Sequence, residues 1–190
     1  VVIGDILDRE MLINTIEKYD PVAVIHFAAL AYVPESIERP FDYYQTNVTG
    51  SINLLNVCKD LNLKKFIFSS SCSTYGISGK ELISEETLQK PLSPYGKSKY
   101  ITEQILNDWV KIYNFKAVSL RYFNAAGADL DGEIGEFHVP ETHLIPNILL
   151  VSLGKKKTMP VYGKHFDTHD GTAIRDYIHV KDLALAHVNS

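Results

Sequence analysis

Apolar residues of this chain fall into continuous runs rather than alternating with polar ones. Three of these runs are VAVIHFAA at residues 22–29, KFIFSSS at 65–71 and KAVSLRYFN at 116–124. A strand with one solvent-facing side alternates, whereas a strand covered on both sides is apolar throughout. We therefore predict three buried strands of a parallel sheet, and a further short strand in VVIGD at residues 1–5.

Between these runs, apolar residues recur at helical spacing. The helical segments are 9–19, about 40–61 and 95–113, and within the second the periodic positions are Ile52, Leu55, Val57 and Leu61. Alternation of strands and helices is typical of βαβ units. The sequence therefore predicts an α/β fold with a doubly wound parallel sheet.

The last third of the chain has a different pattern. Residues 125–139 form a long Gly- and acid-rich loop, followed by a helix at about 143–153, a short strand MPVYG at 159–163 and a polar loop at 164–172. A strand in RDYIHV and a final helix complete the chain. Long loops after strand ends are where doubly wound folds build ligand sites.

Composition narrows the class of protein. The 190 residues allow one domain with a sizeable core, and a net charge of -4 argues against nucleic acid as a partner. Two cysteines cannot form a disulfide framework, and no run approaches the roughly 18 apolar residues of a membrane span. We expect a cytoplasmic protein with no membrane partner, and we predict no metal site.

The stretch LSPYGKSKYITEQIL carries candidate chemistry, because it places Tyr95 and Lys99 four residues apart on one helix face. A nearby ammonium, helped by a second cation, favours phenolate and lowers the pKa of a tyrosine, which would make Tyr95 a usable base. A plain surface helix would show the same spacing. Ser71, at the end of a predicted strand, could hold a substrate oxygen beside Tyr95, while Ser69 and Ser70 could simply bond to backbone.

Together these residues resemble the Ser, Tyr-x-x-x-Lys triad of the extended short-chain dehydrogenase/reductases of the NAD-dependent epimerase/dehydratase type. Within that group the chain is similar to the UDP-glucose 4-epimerase family. The resemblance rests on eight collinear segments: GDILD, VIHFAALAYV, YYQTNVTG, FSSSCSTYG, SPYGKSK, LRYFNAAGA, PETHLIP and DGTAIRDYIHV.

The resemblance implies an incomplete Rossmann-like fold in two parts. Residues 1–124 would form a partial NAD-binding domain that carries the triad Ser71, Tyr95 and Lys99. Residues 125–190 would form part of a smaller substrate-binding region, with a return to the Rossmann sheet near 174–190. The Gly-rich turn G-x-x-G-x-x-G is not present in these residues, so we expect a piece of a longer protein that binds NAD weakly or not at all.

The resemblance also assigns ligand-binding roles to individual residues. The NAD-binding residues would be Asp5 and Ile6 at the adenine, Phe27, Ala28 and Ala29 along the diphosphate and ribose, and Asn47, Ser69, Tyr95, Lys99 and Tyr122 toward the nicotinamide. The UDP-sugar would be held by Ser71, Asn124, His143, Tyr162 and Arg175.

Several of these residues have a simpler explanation. Tyr162 could be a core residue, His143 could cap the helix that it opens, and Asn47 could face solvent. Arg175 could form a surface ion pair with Asp176.

The implied reaction is NAD-dependent 4-epimerisation of a UDP-hexose through a transient 4-keto sugar. Tyr95 would take the proton of the 4-hydroxyl, Ser71 would bind the reacting oxygen, and Lys99 would hold the nicotinamide ribose. Related 4,6-dehydratases carry an Asp-Glu pair where this chain has Cys72 and Ser73, which disfavours dehydration. Epimerisation of a UDP-pentose or UDP-N-acetylhexosamine and a silent NAD- or nucleotide-sugar-binding remnant are the alternatives. The family implies a homodimer.

Overall fold

The computed structural model describes residues 1–79 and 82–190. Contacts between residues divide the chain into two compact units. The first unit comprises Val1–Tyr122 together with Ser190, and the second comprises Phe123–Asn189. Each unit is described by itself below.

Helices and strands alternate along the first unit. Its elements are α1 (Arg9–Tyr19), β1 (Val24–His26), α2 (Val33–Glu38), α3 (Pro40–Tyr43), a π-helix (Tyr44–Thr49), α4 (Gly50–Asp60), β2 (Lys65–Ser69), a 3₁₀ turn (Cys72–Thr74), α5 (Pro94–Tyr113) and β3 (Lys116–Leu120). Local caps set the helix ends. Asp8 accepts a hydrogen bond from the Met11 amide at the start of α1, and Asn114 closes α5 in the left-handed region at φ 57°.

The three strands form a parallel sheet in the order β1-β2-β3, with Val24 opposite Phe66 and Phe66 opposite Ala117. The predicted α/β fold with parallel strands is therefore confirmed. The strands are shorter than the apolar runs that predicted them. β1 ends at His26 because the following segment turns away to bond its Leu30 backbone to the Asn47 side chain.

The core of this unit lies where α4 and α5 pack against the sheet. Its buried residues are Leu54, Leu55, Cys58, Leu63, Phe66, Phe68, Leu106 and Phe115. Burying side chains of this size stabilises the fold by about 1.5–3 kcal/mol each. The core holds the carboxyl end of β2 against the first turns of α5.

The second unit contains β4 (Asn124–Ala126), α6 (Leu144–Ser152), β5 (Tyr177–His179) and α7 (Val180–Asn189). β4 and β5 pair in parallel, with Asn124 opposite Tyr177. From the family resemblance we expect the chain near residues 174–190 to rejoin the larger parallel sheet. β5 pairs instead with β4 in a separate two-stranded sheet, because the chain leaves strand conformation between Leu120 and Asn124.

Three local predictions differ from the structure. Residues 1–5 are not a strand, because the described residues give them no strand to pair with. Residues 159–163 are likewise outside regular secondary structure, and the loop expected to begin at Ala125 begins after β4. In the part of the chain that the structure describes, no helix combines the length and apolar character that crossing a bilayer requires.

Candidate active site

Three serines at the end of β2 have three different partners. The Ser69 hydroxyl lies 2.5 Å from the Tyr122 hydroxyl, and the Ser70 hydroxyl donates to the Glu103 carboxylate. The Ser71 hydroxyl accepts the Ser73 amide at 3.1 Å and also hydrogen-bonds the Tyr95 side chain. All three serines are buried. The alternative that Ser69 and Ser70 bond merely to backbone is therefore wrong.

The start of α5 brings Tyr95 to this strand end. Ser93 caps the helix by accepting the Gly96 amide at 3.1 Å, and Pro94 occupies the first turn, where its missing N–H costs nothing. A Cβ at Gly96 would lie 2.6 Å from the Ser73 carbonyl oxygen. Glycine here allows the helix to approach the turn that follows Ser71.

Lys99 lies one helical turn after Tyr95 and on the same face. Its Nζ donates to the Ser69 carbonyl at 2.8 Å and lies 5.9 Å from the centroid of the Tyr95 ring. Burial lowers the pKa of Lys99 to about 8, because the charged form loses hydration. The side chain is still mainly an ammonium at pH 7, so a buried cation stands beside the phenol.

The pKa of Tyr95 differs from the sequence-based expectation. Burial raises this pKa, and the hydrogen bond from Ser71 opposes the increase only in part. The expected lowering relied on a second cation in addition to the ammonium, and with Lys99 alone the desolvation of the phenolate is the larger effect. An additional positive charge at this face would lower the pKa again.

Tyr43 is a contact of Tyr95 that sequence reasoning missed. The two rings meet edge to face with centroids 6.5 Å apart, and Tyr43 is fully buried. Its hydroxyl donates to the Tyr32 carbonyl at 2.6 Å and lies 2.9 Å from Glu35. These hydrogen bonds fix the Tyr43 ring, against which the Tyr95 ring packs. Tyr43 is remote from Tyr95 in sequence, so periodicity could not reveal the pair.

Asn47 lies in the π-helix, a distortion often found at functional sites. Its amide donates to the Leu30 carbonyl and to the Ser98 hydroxyl, each at 2.9 Å, and its oxygen accepts the Leu30 amide at 2.8 Å. The residue is buried, so the alternative that Asn47 faces solvent is wrong. The side chain joins the segment after β1 to α5.

Most of the remaining predicted NAD-binding residues line the start of the unit and the exit of β1. Asp5 is exposed, and its Oδ1 accepts the Leu7 amide at 2.8 Å, whereas Ile6 packs against the core. Phe27 and Ala28 are exposed, and Ala29 is partly exposed. The two alanines present nothing larger than a methyl group, which fits close approach of a dinucleotide backbone to this strand end.

The predicted UDP-sugar residues of the second unit are more exposed. The Asn124 amide donates to the Asp176 carbonyl at 2.7 Å, and an Arg175 Nη1 donates to the Ile174 carbonyl at 2.9 Å. Tyr162 is 94% exposed, so a core role for it is wrong. Arg175 presents an exposed guanidinium, a group suited to phosphate.

His143 stands at the N-cap position of α6, but its side chain makes no capping hydrogen bond. Its Nδ1 bonds instead to the Glu136 carboxylate, which lies 3.2 Å from the Nδ1 of His138. Together with Glu141 these groups bring their ligating atoms within 4.8 Å of one another. Such a set could hold a divalent cation, but hydrogen bonds between imidazole and carboxylate account for the cluster.

Known proteins resemble both the sequence and the fold. The chain is 46% identical to the UDP-glucose 4-epimerase of Rhizobium leguminosarum bv. trifolii over 98% of its length and 57% of that relative. The structure matches UDP-glucose 4-epimerase from Brucella ovis in complex with NAD at a TM-score of 0.94 and 54% identity, again over 98% and 57%.

A second solved structure is the UDP-glucose 4-epimerase from Bifidobacterium longum in complex with NAD⁺ and UDP, with a TM-score of 0.92, 42% identity and coverage of 98% and 57%. The chain thus spans little more than half the length of these relatives. The profile of the NAD dependent epimerase/dehydratase family matches residues 1–189. On this match, and with Ser71, Tyr95 and Lys99 assembled at one strand end, the chain belongs to the NAD-dependent epimerase/dehydratase family.

Proposed function

We propose that the full-length protein interconverts UDP-glucose and UDP-galactose, inverting carbon four of the sugar with NAD as cofactor. One observation carries this proposal. The Ser71 hydroxyl hydrogen-bonds the Tyr95 phenol, and the Lys99 ammonium lies 5.9 Å from the same ring. Ser71 can bind a hydroxyl, Tyr95 can move its proton, and the Lys99 ammonium supplies a positive charge near the phenol. Relatives named UDP-glucose 4-epimerase support the substrate class.

Epimerisation at carbon four needs a redox route, because the hydrogen on that carbon is not acidic and no neighbouring carbonyl stabilises a carbanion. NAD, when bound, supplies a reversible hydride acceptor, so that a 4-keto sugar forms and is reduced on its other face. Tyr95 takes the proton of the 4-hydroxyl during oxidation and returns it during reduction. Ser71 holds the reacting oxygen within reach of the phenol.

Lys99 contributes in two ways that the structure supports. Its hydrogen bond to the Ser69 carbonyl fixes the end of β2, which is the segment that carries Ser71. Its ammonium is buried beside Tyr95, so its field acts through little water and favours phenolate once a substrate hydroxyl is bound. The resemblance to the family adds a contact between Lys99 and the nicotinamide ribose.

The two units have separate roles in this proposal. The first unit is the partial NAD-binding domain, in which Asp5 and Ile6 would meet the adenine and the alanines after β1 would meet the diphosphate. The second unit is part of the substrate-binding region, in which Arg175 would bind the phosphates of the UDP-sugar through its planar fork. Asn124, His143 and Tyr162 would contact the rest of that substrate.

The same proposal includes a homodimer and a cytoplasmic location. Ile112 on α5 is 69% exposed and Phe41 on α3 is 73% exposed, and apolar side chains of this size are suited to a helical interface. The family resemblance pairs these helices between subunits. Cys58 and Cys72 do not form a disulfide with each other, which suits a reducing compartment.

Conversion of UDP-galactose by the full-length protein tests the reaction. We expect the wild type to produce UDP-glucose without added reductant, and Tyr95→Phe to lose at least about 100-fold in kcat because it cannot accept a proton. Tyr113→Phe, an exposed tyrosine at the far end of α5, is the matched control. Full activity in Tyr95→Phe would contradict the role of the base.

A further inference from the structure

An ion pair between buried Glu103 and partly buried Arg121 contacts the strand end of the candidate active site. Glu103, two helical turns after Tyr95 on α5, is 2% exposed and receives Arg121 through Nε at 3.0 Å and Nη2 at 2.7 Å. A carboxylate and a guanidinium that meet in this way form a rigid, directional contact. The hydrogen bond to Glu103 raises the pKa of Arg121, so the guanidinium stays charged.

This pair contacts the strand end as well as the helix. The Glu103 carboxylate accepts the Ser70 hydroxyl, and Ser70 stands between Ser69, the acceptor of Lys99, and Ser71, the partner of Tyr95. One carboxylate on the helix of the base therefore binds the segment that carries the catalytic hydroxyl.

Arg121 is also connected to the segment that carries Ser71, through its neighbour Tyr122. Arg121 directly precedes Tyr122, whose carbonyl accepts the Cys72 amide at 3.0 Å and whose hydroxyl lies 2.5 Å from the Ser69 hydroxyl. Arg121 also donates to the Tyr75 hydroxyl at 3.0 Å. Hydrogen bonds of Ser69, Ser70 and Cys72, which flank Ser71, thus lead to Glu103 or to Tyr122, the neighbour of Arg121.

A neutral amide could not replace Glu103. The carboxylate accepts hydrogen bonds from Ser70, Gln89 and the Arg121 fork, whereas a glutamine has one acceptor oxygen and would turn N–H groups toward other donors. An unpaired Arg121 would then remain in a mostly buried position.

We infer that Glu103 and Arg121 are positioning residues of the reaction, which set the placement of the Ser71 hydroxyl relative to the Tyr95 phenol. This inference rests on the proposed function. Glu103 contacts the strand end through Ser70, and Arg121 adjoins Tyr122, a candidate nicotinamide residue. The effect inferred here is the one that passes through Ser71 to Tyr95.

Kinetics of the NAD-loaded full-length protein test the inference. We expect Glu103→Gln to lower kcat roughly 100-fold, the loss typical of a small misplacement, while KM changes little. Asp108→Asn removes an exposed carboxylate from the same helix and is the matched control. Arg121→Lys keeps the charge without the fork, and we expect an intermediate loss of kcat.

A purely structural role predicts a different result in one variant. Glu103→Gln/Arg121→Met removes both charges, and we expect its thermal midpoint to recover above that of Glu103→Gln while kcat stays low. Recovery of kcat together with the midpoint would overturn the inference. Unchanged kcat in Glu103→Gln would also overturn it.

A readout that needs no turnover separates this inference from the proposed reaction. In protein labelled with ¹³Cζ-tyrosine, the Tyr95 resonance is the one missing from Tyr95→Phe. We expect its chemical shift to change in Glu103→Gln and in the double variant but not in Asp108→Asn, because the hydrogen bond from Ser71 is altered. A wild type that does not epimerise would refute the proposed function. Independently of that result, an unchanged Tyr95 chemical shift in Glu103→Gln would refute the positioning role.

Discussion

The triad of the first unit and two substrate-binding candidates of the second unit, Tyr162 and Arg175, are held in opposite ways. In the first unit Lys99 is 4% exposed and bonded to Ser69, and Ser71 is buried against Tyr95. In the second unit Tyr162 is 94% exposed, and Arg175 bonds only to the adjacent Ile174 carbonyl among the contacts found in the described residues. The first set is positioned by the chain itself. Tyr162 and Arg175 present exposed side chains, whereas Asn124 and His143 are bonded to Asp176 and Glu136.

This difference has a consequence for what each unit contributes. Groups that are fixed before substrate arrives lower the barrier of the chemical step, because their ordering does not have to be repeated in each turnover. Exposed groups that become ordered on a ligand contribute chiefly to binding. We therefore expect substitutions in the first unit to act on kcat and substitutions in the second unit to act on KM.

The largest test of this comparison is Lys99→Met in the full-length protein. We expect kcat to fall by about 10²–10⁴-fold, because the ammonium beside Tyr95 and the bond to Ser69 are both lost. The free energy of unfolding at pH 7 should not fall, since methionine removes a charge whose burial is unfavourable. Lys97→Met, on the exposed side of the same helical turn, should keep full activity. A Lys99→Met enzyme with wild-type kcat would contradict the comparison.

Sequence alone predicts the first unit well because its information is local. The spacing of Tyr95 and Lys99 fixes a shared helix face, and three continuous apolar runs fix the parallel strands. Gly96 could also have been found, since a glycine in the first turn of a helix signals close packing. The contact of Tyr43 with Tyr95 joins residues far apart in the chain, and no periodicity records it.

The second unit and the electrostatics were harder to predict. The strand expected at residues 159–163 fails because an apolar run of that length has no structure without a partner strand. The burial that raises the pKa of Tyr95 could not be predicted, because it depends on tertiary packing rather than on spacing. A site made of residues from separate loops, such as His143 and Glu136, leaves no periodic signal in the sequence.

The pH dependence of the free energy of unfolding gives a second test of the comparison, through a histidine in each unit. Burial lowers the pKa of His26 in the first unit to about 3, whereas a histidine in the unfolded chain titrates near 6.5. Between these values the unfolded state binds a proton that the folded state does not, so stability falls as pH falls through this window. The slope should approach about 1.4 kcal/mol per pH unit.

We expect urea unfolding of the full-length protein between pH 4 and 8 to show this slope below about pH 6.5. His26→Gln should reduce the slope, whatever it does to stability at pH 8. The exposed His169 of the second unit provides the control, because His169→Gln should leave the slope unchanged. An identical slope in wild type and His26→Gln would show that other groups control acid stability.

Arg175→Lys tests the second unit directly. The substitution keeps the positive charge but removes the planar fork, so we expect KM for the UDP-sugar to rise about 10-fold, equivalent to roughly 1.4 kcal/mol. The kcat value should stay near that of the wild type, because no group of the triad is changed. Lys155→Gln alters an exposed cation elsewhere in the unit and should leave KM unchanged. A selective fall in kcat would place Arg175 with the preorganised groups instead.

The smallest effect on stability should come from Tyr162→Ala. Because its side chain is 94% exposed, its removal should change the free energy of unfolding by less than about 0.5 kcal/mol. Tyr43→Ala in the first unit should cost about 3–5 kcal/mol, because that ring is fully buried and its removal leaves a cavity. Urea titrations of both full-length variants measure the two values, and KM for the UDP-sugar measures any role of Tyr162 in binding. Loss of several kcal/mol in Tyr162→Ala would mean that the ring is packed in the whole protein, so that the two units hold their site residues alike.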